Sequence, residues 1–247
     1  MSNKKKEHTK YHTKDGVEVP SCTTVLKIVD TDFLPQWANS LGFKRKSYSE
    51  ELNMYSRIGT FAHALMENHI IGECPELNEK RQECGTEEQI QAYKAFNNYL
   101  RFVNEHDFNP VHSELQLVSE KYKFGGTIDC ICELDGAFCI LDFKTSNYFG
   151  KKMLLQLAGY VQLYKEYMEE TGQTDEIEEV AVLKLSKTED KYELLRVPMS
   201  ELEPYFLQFK YCLAYFRNNK ALEEDFKDIL KHNVEVSEVY YENSNIE

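Results

Sequence analysis

The chain has no apolar stretch approaching the ~20 residues a membrane-spanning helix needs, so no membrane partner is expected. It has no CxxC pair. Its seven cysteines, Cys22, Cys74, Cys84, Cys130, Cys132, Cys139 and Cys212, are odd in number and not spaced for a zinc site or an iron–sulfur cluster. Small, reduced, buried side chains are expected instead. Glycine and proline are few, at 11 and 6, and there is no internal repeat or domain-length linker. The 247 residues are therefore expected to form one unit. Positive charge is short as well: 29 Lys and Arg against 42 Asp and Glu leave a net charge of −13. That disfavours a surface coated with phosphate-binding side chains, although a local groove can be basic on an acidic chain. The start, MSNKKKEHTKYHTKDG, is basic but leads into no apolar signal core. A cytoplasmic location is expected, a host's cytoplasm if a phage encodes the chain.

What is present fits a globular protein with a substantial core: 42% hydrophobic and 29% charged residues. Residues 1–14 read as a loose basic tail. Pro20 and Ser21 mark a turn, with Ser21 or Thr23 as a helix cap. Residues 33–56 read as mostly helical, and a helix over 57–71 ends at Gly72. A loop over 73–85 precedes a long helix over 87–105. The texture then alternates: a strand over 111–120, an interruption at Gly125-Gly126, and a strand over 127–134. Asp135-Gly136 signals a tight hairpin into a third strand over 137–144. A helix over 151–170 closes at Gly172, and two more strands follow over 178–187 and 191–197. Ser200 with Glu203 reads as a capping box for a helix through Phe216, followed by a short helix and a polar tail. This order predicts an α/β fold: a mixed central sheet containing an antiparallel meander, flanked by helices, with a helical N-terminal layer.

The stretch AFCILDFKTSN, residues 137–147, concentrates the chemistry. Its apolar run reads as a buried strand, in which Asp142 and Lys144 share a face. The preceding strand carries Asp129. Asp129 and Asp142 lie about equally far from the hairpin turn, so antiparallel pairing brings both carboxylates to one edge of the sheet. Glu114, in the strand before, can reach the same edge. Converging carboxylates repel unless a cation lies between them, and Mg²⁺ takes oxygen ligands of this kind. A metal polarises a phosphoryl oxygen and activates water, and a neighbouring lysine stabilises developing charge, so the set suits phosphodiester hydrolysis. In RIGTFAHALMENHI a helix is expected to start after Gly59-Thr60, with His63 one turn in and sharing a face with Glu67 rather than with the apolar stripe. Gln156 and Tyr160, four apart, stack on one helix face.

Taken in order, Gly-Thr-x-x-His, Glu114, Gly-x-x-Asp, Asp-x-Lys-Thr-Ser and Gln-x-x-x-Tyr resemble the PD-(D/E)XK nuclease superfamily, and more narrowly its RecB-like exonuclease branch. The group of phage exonucleases and the mitochondrial genome maintenance exonuclease is the most similar. Pro20-Ser21-x-Thr23-Thr24-Val25-Leu26 resembles that group's opening. The resemblance covers residues 18 to about 165. It implies a restriction-endonuclease-like core in a single nuclease domain over 1–247: a flexible tail over 1–14, a mostly helical part over 15–108, the nuclease core over 109–217, and a C-terminal helix and tail over 218–247. His63, Asp129 and Asp142 would be metal ligands for Mg²⁺ or Mn²⁺, Lys144 the catalytic lysine, and Glu114 an auxiliary acid. Gln156 and Tyr160 would shape the site and contact the strand, and Thr145 and Ser146 would hold a phosphate through their hydroxyls.

The implied activity is a metal-dependent DNA exonuclease on single strands or DNA ends, in recombination, replication or repair, with a protein partner as a further expectation. Phe143 stands where the group often has Trp, and its side chain is expected in the core. With Cys212 the only cysteine after Cys139, the iron–sulfur cluster of some RecB-like relatives is not expected. Tyr205, Phe206, Phe209, Tyr211, Tyr215 and Phe216 are expected mostly in the core, with a few free to stack on bases. Two other readings stay open: a DNA-binding or scaffold subunit that keeps the fold, which suits the acidic charge, and a structure-specific endonuclease.

Overall fold

The computed structural model describes residues 9–29, 33–146 and 148–233. The run Lys4-Lys5-Lys6 and the polar end over 234–247 lie outside them. Residues expected as loose tail instead contribute β1 (Tyr11–His12), which pairs with β2 (Glu18–Val19). Tyr11 is buried, and its hydroxyl lies 2.7 Å from that of Thr127. Ser21 caps the short α1 (Cys22–Val25) by accepting from the Thr24 N–H, and a 3₁₀ turn over Leu26–Ile28 follows.

The next helices are α2 (Phe33–Phe43) and α3 (Tyr48–Ile71). The helix expected from residue 57, and its motif part from Gly59-Thr60, begins nine residues before 57, where Ser47 accepts from the Glu50 N–H at 3.4 Å. Gly59 is no breaker. A Cβ there would lie 3.3 Å from Oγ1 of Thr145, so the glycine lets α3 pass close to a strand end. The expected loop over 73–85 contains α4 (Leu77–Glu83), which buries no residue and so carries no apolar period to read. Then comes α5 (Thr86–Glu105).

Five strands form the main sheet in the order β3-β4-β5-β6-β7: β3 (Phe108–Ser119), β4 (Phe124–Leu134), β5 (Ala137–Lys144), β6 (Glu179–Leu185) and β7 (Tyr192–Pro198). All neighbours are antiparallel except β5 and β6. Their parallel pairing needs a crossover, supplied by α6 (Lys151–Thr171), which Gly172 ends in the left-handed region. Gly125 and Gly126 lie inside β4 rather than interrupting it, and Asp135-Gly136 makes the β4–β5 turn. The last helix, α7 (Met199–Asn233), is one element where two were expected. Ser200 and Glu203 lie within its first turns rather than capping it, because the Met199 N–H is already taken by the Glu178 carbonyl.

Alternation along the strands builds a core on each face of the sheet. Ile131, Ile140 and Val182 face α6 and α7, packing with Leu157 and Phe209. Cys139, Leu141 and Phe143 face the other way, toward Ile58 and Phe61 of α3 and Tyr99 and Phe102 of α5. Each such large side chain contributes about 1.5–3 kcal/mol on burial. Phe143 thus belongs to the core, as its place between Asp142 and Lys144 requires. All seven cysteines are buried and none is in a disulfide. Of the α7 aromatics, Phe209 is fully buried and Tyr205, Phe206 and Phe216 pack against the core, but Tyr211 and Tyr215 are exposed because they lie on the helix's outer side. No described helix is long and apolar enough to cross a membrane.

Candidate active site

Three adjacent strands each bring one carboxylate to the same level. Glu114 of β3 stands opposite Asp129 of β4, between the pairs Ser113–Cys130 and Leu115–Ile128. Asp129 stands level with Asp142 of β5, one step past the last pair, Cys130–Leu141. At this level the β4–β5 ladder ends, while β3 stays paired with β4 as far as Ser119–Phe124. Glu114 has φ +50°, and the N–H of Phe143 is taken not by a β4 carbonyl but by Oδ2 of Asp129, at 2.9 Å. A side chain thus replaces the main-chain acceptor where β4 and β5 part, and Glu114 and Asp129 face a cleft.

That cleft, about 510 Å³, lies between α3 and the β3–β4 edge and is lined by His63, Glu67, Cys74, Glu114 and Asp129 among others. Ligand atoms of His63, Glu114 and Asp129 all lie within 4.8 Å of one another. His63 Nδ1 is 3.6 Å from Asp129 Oδ2. Asp142 sits behind them, 1% exposed. Lys144 Nζ straddles its carboxylate at 2.7 Å from Oδ1 and 2.6 Å from Oδ2, but it is aligned as a hydrogen bond only to Oδ1. Oδ2 is buried with no hydrogen-bond partner.

The electrostatics follow from this crowding. Burial pushes the Glu114 carboxyl up to about 8, helped by the negative charges of Asp129 and Glu67. Burial also raises Asp142, Lys144 opposes that rise, and Asp129 adds to it. Burial alone would lower Lys144, but the carboxylates of Asp142, Asp129 and Glu114 outweigh it and hold the ammonium above its ordinary value. Lys144 is therefore charged at neutral pH. Hard oxygen donors with one imidazole fit a divalent cation such as Mg²⁺ or Mn²⁺.

The other expected site residues are placed unevenly. Gln156 Nε2 donates to the Tyr160 hydroxyl at 2.6 Å, so the two do share a face of α6. Tyr160 is only 4% exposed, packed over Gly126, and it is a wall of the site rather than a surface for a strand. Thr145 lies beside Gly59 of α3. Ser146 is turned away: its hydroxyl donates to the Tyr148 carbonyl, and the residue lines a separate hollow of about 240 Å³ with Lys184, Ser186 and Lys191.

Two residues join the site without having been expected there. Glu67 lines the cleft one helical turn after His63 and accepts from Cys74 Sγ at 3.2 Å. Its i, i+4 relation to His63 was the available signal. Lys187, in the β6–β7 turn, is 8% exposed and donates to the Thr145 carbonyl at 2.9 Å. Nothing in the sequence around it announces that contact.

A carboxylate on each of two neighbouring strands, a lysine two residues beyond the second, and a histidine from a packed helix define a hydrolytic site of the restriction-endonuclease-like class. The chain belongs to the PD-(D/E)XK nuclease superfamily, whose family model matches residues 36–241. Among solved structures it is similar to a candidate exonuclease from Eubacterium rectale, at 9% identity and a TM-score of 0.45, over 74% of this chain and 77% of that one. It is also similar to LHK-Exo in complex with dAMP, at 12% identity and a TM-score of 0.30, over 68% of this chain and 93% of that one. No curated protein matches it.

Proposed function

We propose that this nuclease is a Mg²⁺- or Mn²⁺-dependent DNA exonuclease of the RecB-like branch, acting on single strands or DNA ends in a reducing cytoplasm. The observation that carries the reading is the row Glu114–Asp129–Asp142, with His63 on one side and the charged Lys144 on the other. Such a row is costly without a cation and a phosphate to hold. The motif order from Pro20 to Tyr160 supports the branch, and seven cysteines without a disulfide support the compartment.

A divalent ion at this cluster would polarise a phosphoryl oxygen and activate water. His63, Glu114 and Asp129 would hold it from the cleft side, and Asp142 from behind. Lys144 is tethered to Asp142, so its ammonium stays beside the ligands and stabilises charge developing on the scissile phosphate. Tyr160 and Gln156 keep the wall behind Asp129 and Asp142 fixed. Products would carry 5′ phosphates.

The test is cleavage of single-stranded DNA labelled at the 5′ end and, separately, at the 3′ end, with Mg²⁺, Mn²⁺ or EDTA. Loss of label that needs the metal and falls at least ~10²–10³-fold in Lys144→Ala is the expected result. The order of label release then gives the polarity. Absence of metal-dependent cleavage of any DNA by the wild type would remove the reading.

A further inference from the structure

An acidic site on an acidic chain repels the polyanion it is proposed to cut, so the strand needs a hold elsewhere. Among the described residues only one run of three consecutive basic residues occurs: Lys44-Arg45-Lys46, the turn between α2 and α3. Lys46 is tied to Glu51. Lys44 and Arg45 are exposed and make no ion pair among the described residues. Phe43, directly before them, is 82% exposed.

The turn closes with the Lys46 N–H on the Leu41 carbonyl and with Arg45 at φ +56°. That is a helix end built for glycine at the left-handed position. An arginine there is a local choice against stability.

From this turn a continuous set of rings leads toward the site. Tyr48, 37% exposed, meets Trp37 edge-on with centroids 5.2 Å apart, and Trp37 lies 6.0 Å from Tyr55. Lys187 Nζ sits 4.3 Å over the Tyr55 ring and reaches the Thr145 carbonyl, next to Lys144. Along α3, Tyr48 and His63 are fifteen residues apart, about 22 Å at 1.5 Å per residue. Basic tips with interleaved aromatic faces are what single strands use: phosphates on the cations, bases on the rings.

We infer that the α2–α3 turn, with Lys44, Arg45, Phe43, Trp37 and Tyr48, is the docking surface for single-stranded DNA, from which the strand runs along α3 past Tyr55 to the cleft. The inference rests on the DNA reading of the site. It adds a length requirement: at ~3.4 Å per stacked nucleotide, about six to seven nucleotides separate the turn from the scissile bond.

The experiment compares wild type with Phe43→Ala/Lys44→Ala/Arg45→Ala, all exposed positions, and with Lys220→Ala/Lys227→Ala as a cation-loss control on α7. Binding of a fluorescein-labelled 20-nucleotide strand is followed by anisotropy in Ca²⁺, and cleavage of that strand and of a trinucleotide is followed in Mg²⁺. Expected for the triple variant are at least about tenfold weaker binding of the 20-mer, a salt slope smaller by about 1.4, at ~0.7 per cation, and unchanged cleavage of the trinucleotide. Arg45→Gly should raise the melting temperature while weakening binding, a pairing that a purely structural role does not produce. Equal binding by wild type and triple variant, an equal loss in the control, or an equal loss on duplex DNA overturns the inference. A wild type that binds strands through the turn but cuts none would leave the surface standing and remove the nuclease reading instead.

Discussion

Gly126 sits where β4 passes beneath α6, and a Cβ there would lie 2.7 Å from Cε1 of Tyr160 and 3.1 Å from Cδ1 of Leu163. Tyr160 is buried and held by Gln156, so it cannot swing aside. Gly126→Ala should cost about 1–3 kcal/mol in a urea titration, the range for forced overpacking. Tyr160→Leu in the same chain should recover part of that, giving a coupling outside the additive range in a double-mutant cycle. Strict additivity would mean the ring is not what the glycine accommodates. Residues of this kind mark the limit of reading side by side along the chain. Asp129, Asp142 and Lys144 were legible because strand alternation and hairpin symmetry place them. Glu67 was half-legible, as the partner of His63 on a helix face, but its route to the cleft depends on where α3 crosses the sheet. Lys187 was not legible at all, since only the three-dimensional approach of the β6–β7 turn to Thr145 gives it a partner.

The hairpin between β4 and β5 sets the register of the site, because Asp129 and Asp142 are counted from its turn. Asp135, at φ +51°, ties that turn to the rest of the molecule. Its Oδ2 lies 2.9 Å from His106 Nδ1 and 2.9 Å from Arg196 of β7, and its Oδ1 accepts from the Asp107 N–H at 3.0 Å. The His106 contact first, then the Asp107 N–H and Arg196, hold its carboxyl below the ordinary value against a smaller opposing effect of burial. A depressed carboxylate stabilises the fold above its unfolded pKa, and that stability is lost as pH falls through the folded one. Asp135→Asn tolerates the backbone and should cost about 1 kcal/mol at pH 7, a modest figure because the group is partly exposed. The gap to wild type should start to narrow as pH falls below about 4, where the unfolded carboxyl protonates, and close only once pH is below the lowered folded value. A gap that stays undiminished down to pH 2.5 would assign the cost to packing instead of charge. Turn signals made this hairpin and the five strands readable, and the apolar period gave α5 and α6. The elements misread were those where propensity and period are silent: α4 has no buried side, Gly125-Gly126 serve close approach rather than a break, and α7 continues past residue 216 with an exposed face.

Across the whole molecule, negative charge dominates at −13, and three neighbouring strands each bring one carboxylate to the same level. Burial chiefly raises the Glu114 and Asp142 carboxyls, and the charge of Asp129 adds to the rise in both, so the metal-free protein carries some self-repulsion at its site. Asp129 stands in the middle of the row, so neutralising it relieves repulsion on both sides. Asparagine can still accept from the Phe143 N–H, so the strand junction survives the change. In EDTA, Asp129→Asn should melt a few degrees above wild type, since ~1 kcal/mol moves the midpoint of a chain this size by about 2–4 °C. High NaCl should raise the wild type more than the variant, because screening acts on the same repulsion. With Mg²⁺ or Mn²⁺ about 100-fold above its dissociation constant, the wild type should gain roughly 5–10 °C and the variant almost nothing. The two curves cross: the variant is the more stable protein without metal and the less stable one with it. If Asp129→Asn instead melts lower in EDTA and still gains with Mg²⁺, the carboxylate is a structural acceptor for β5 and the ion is held by other groups.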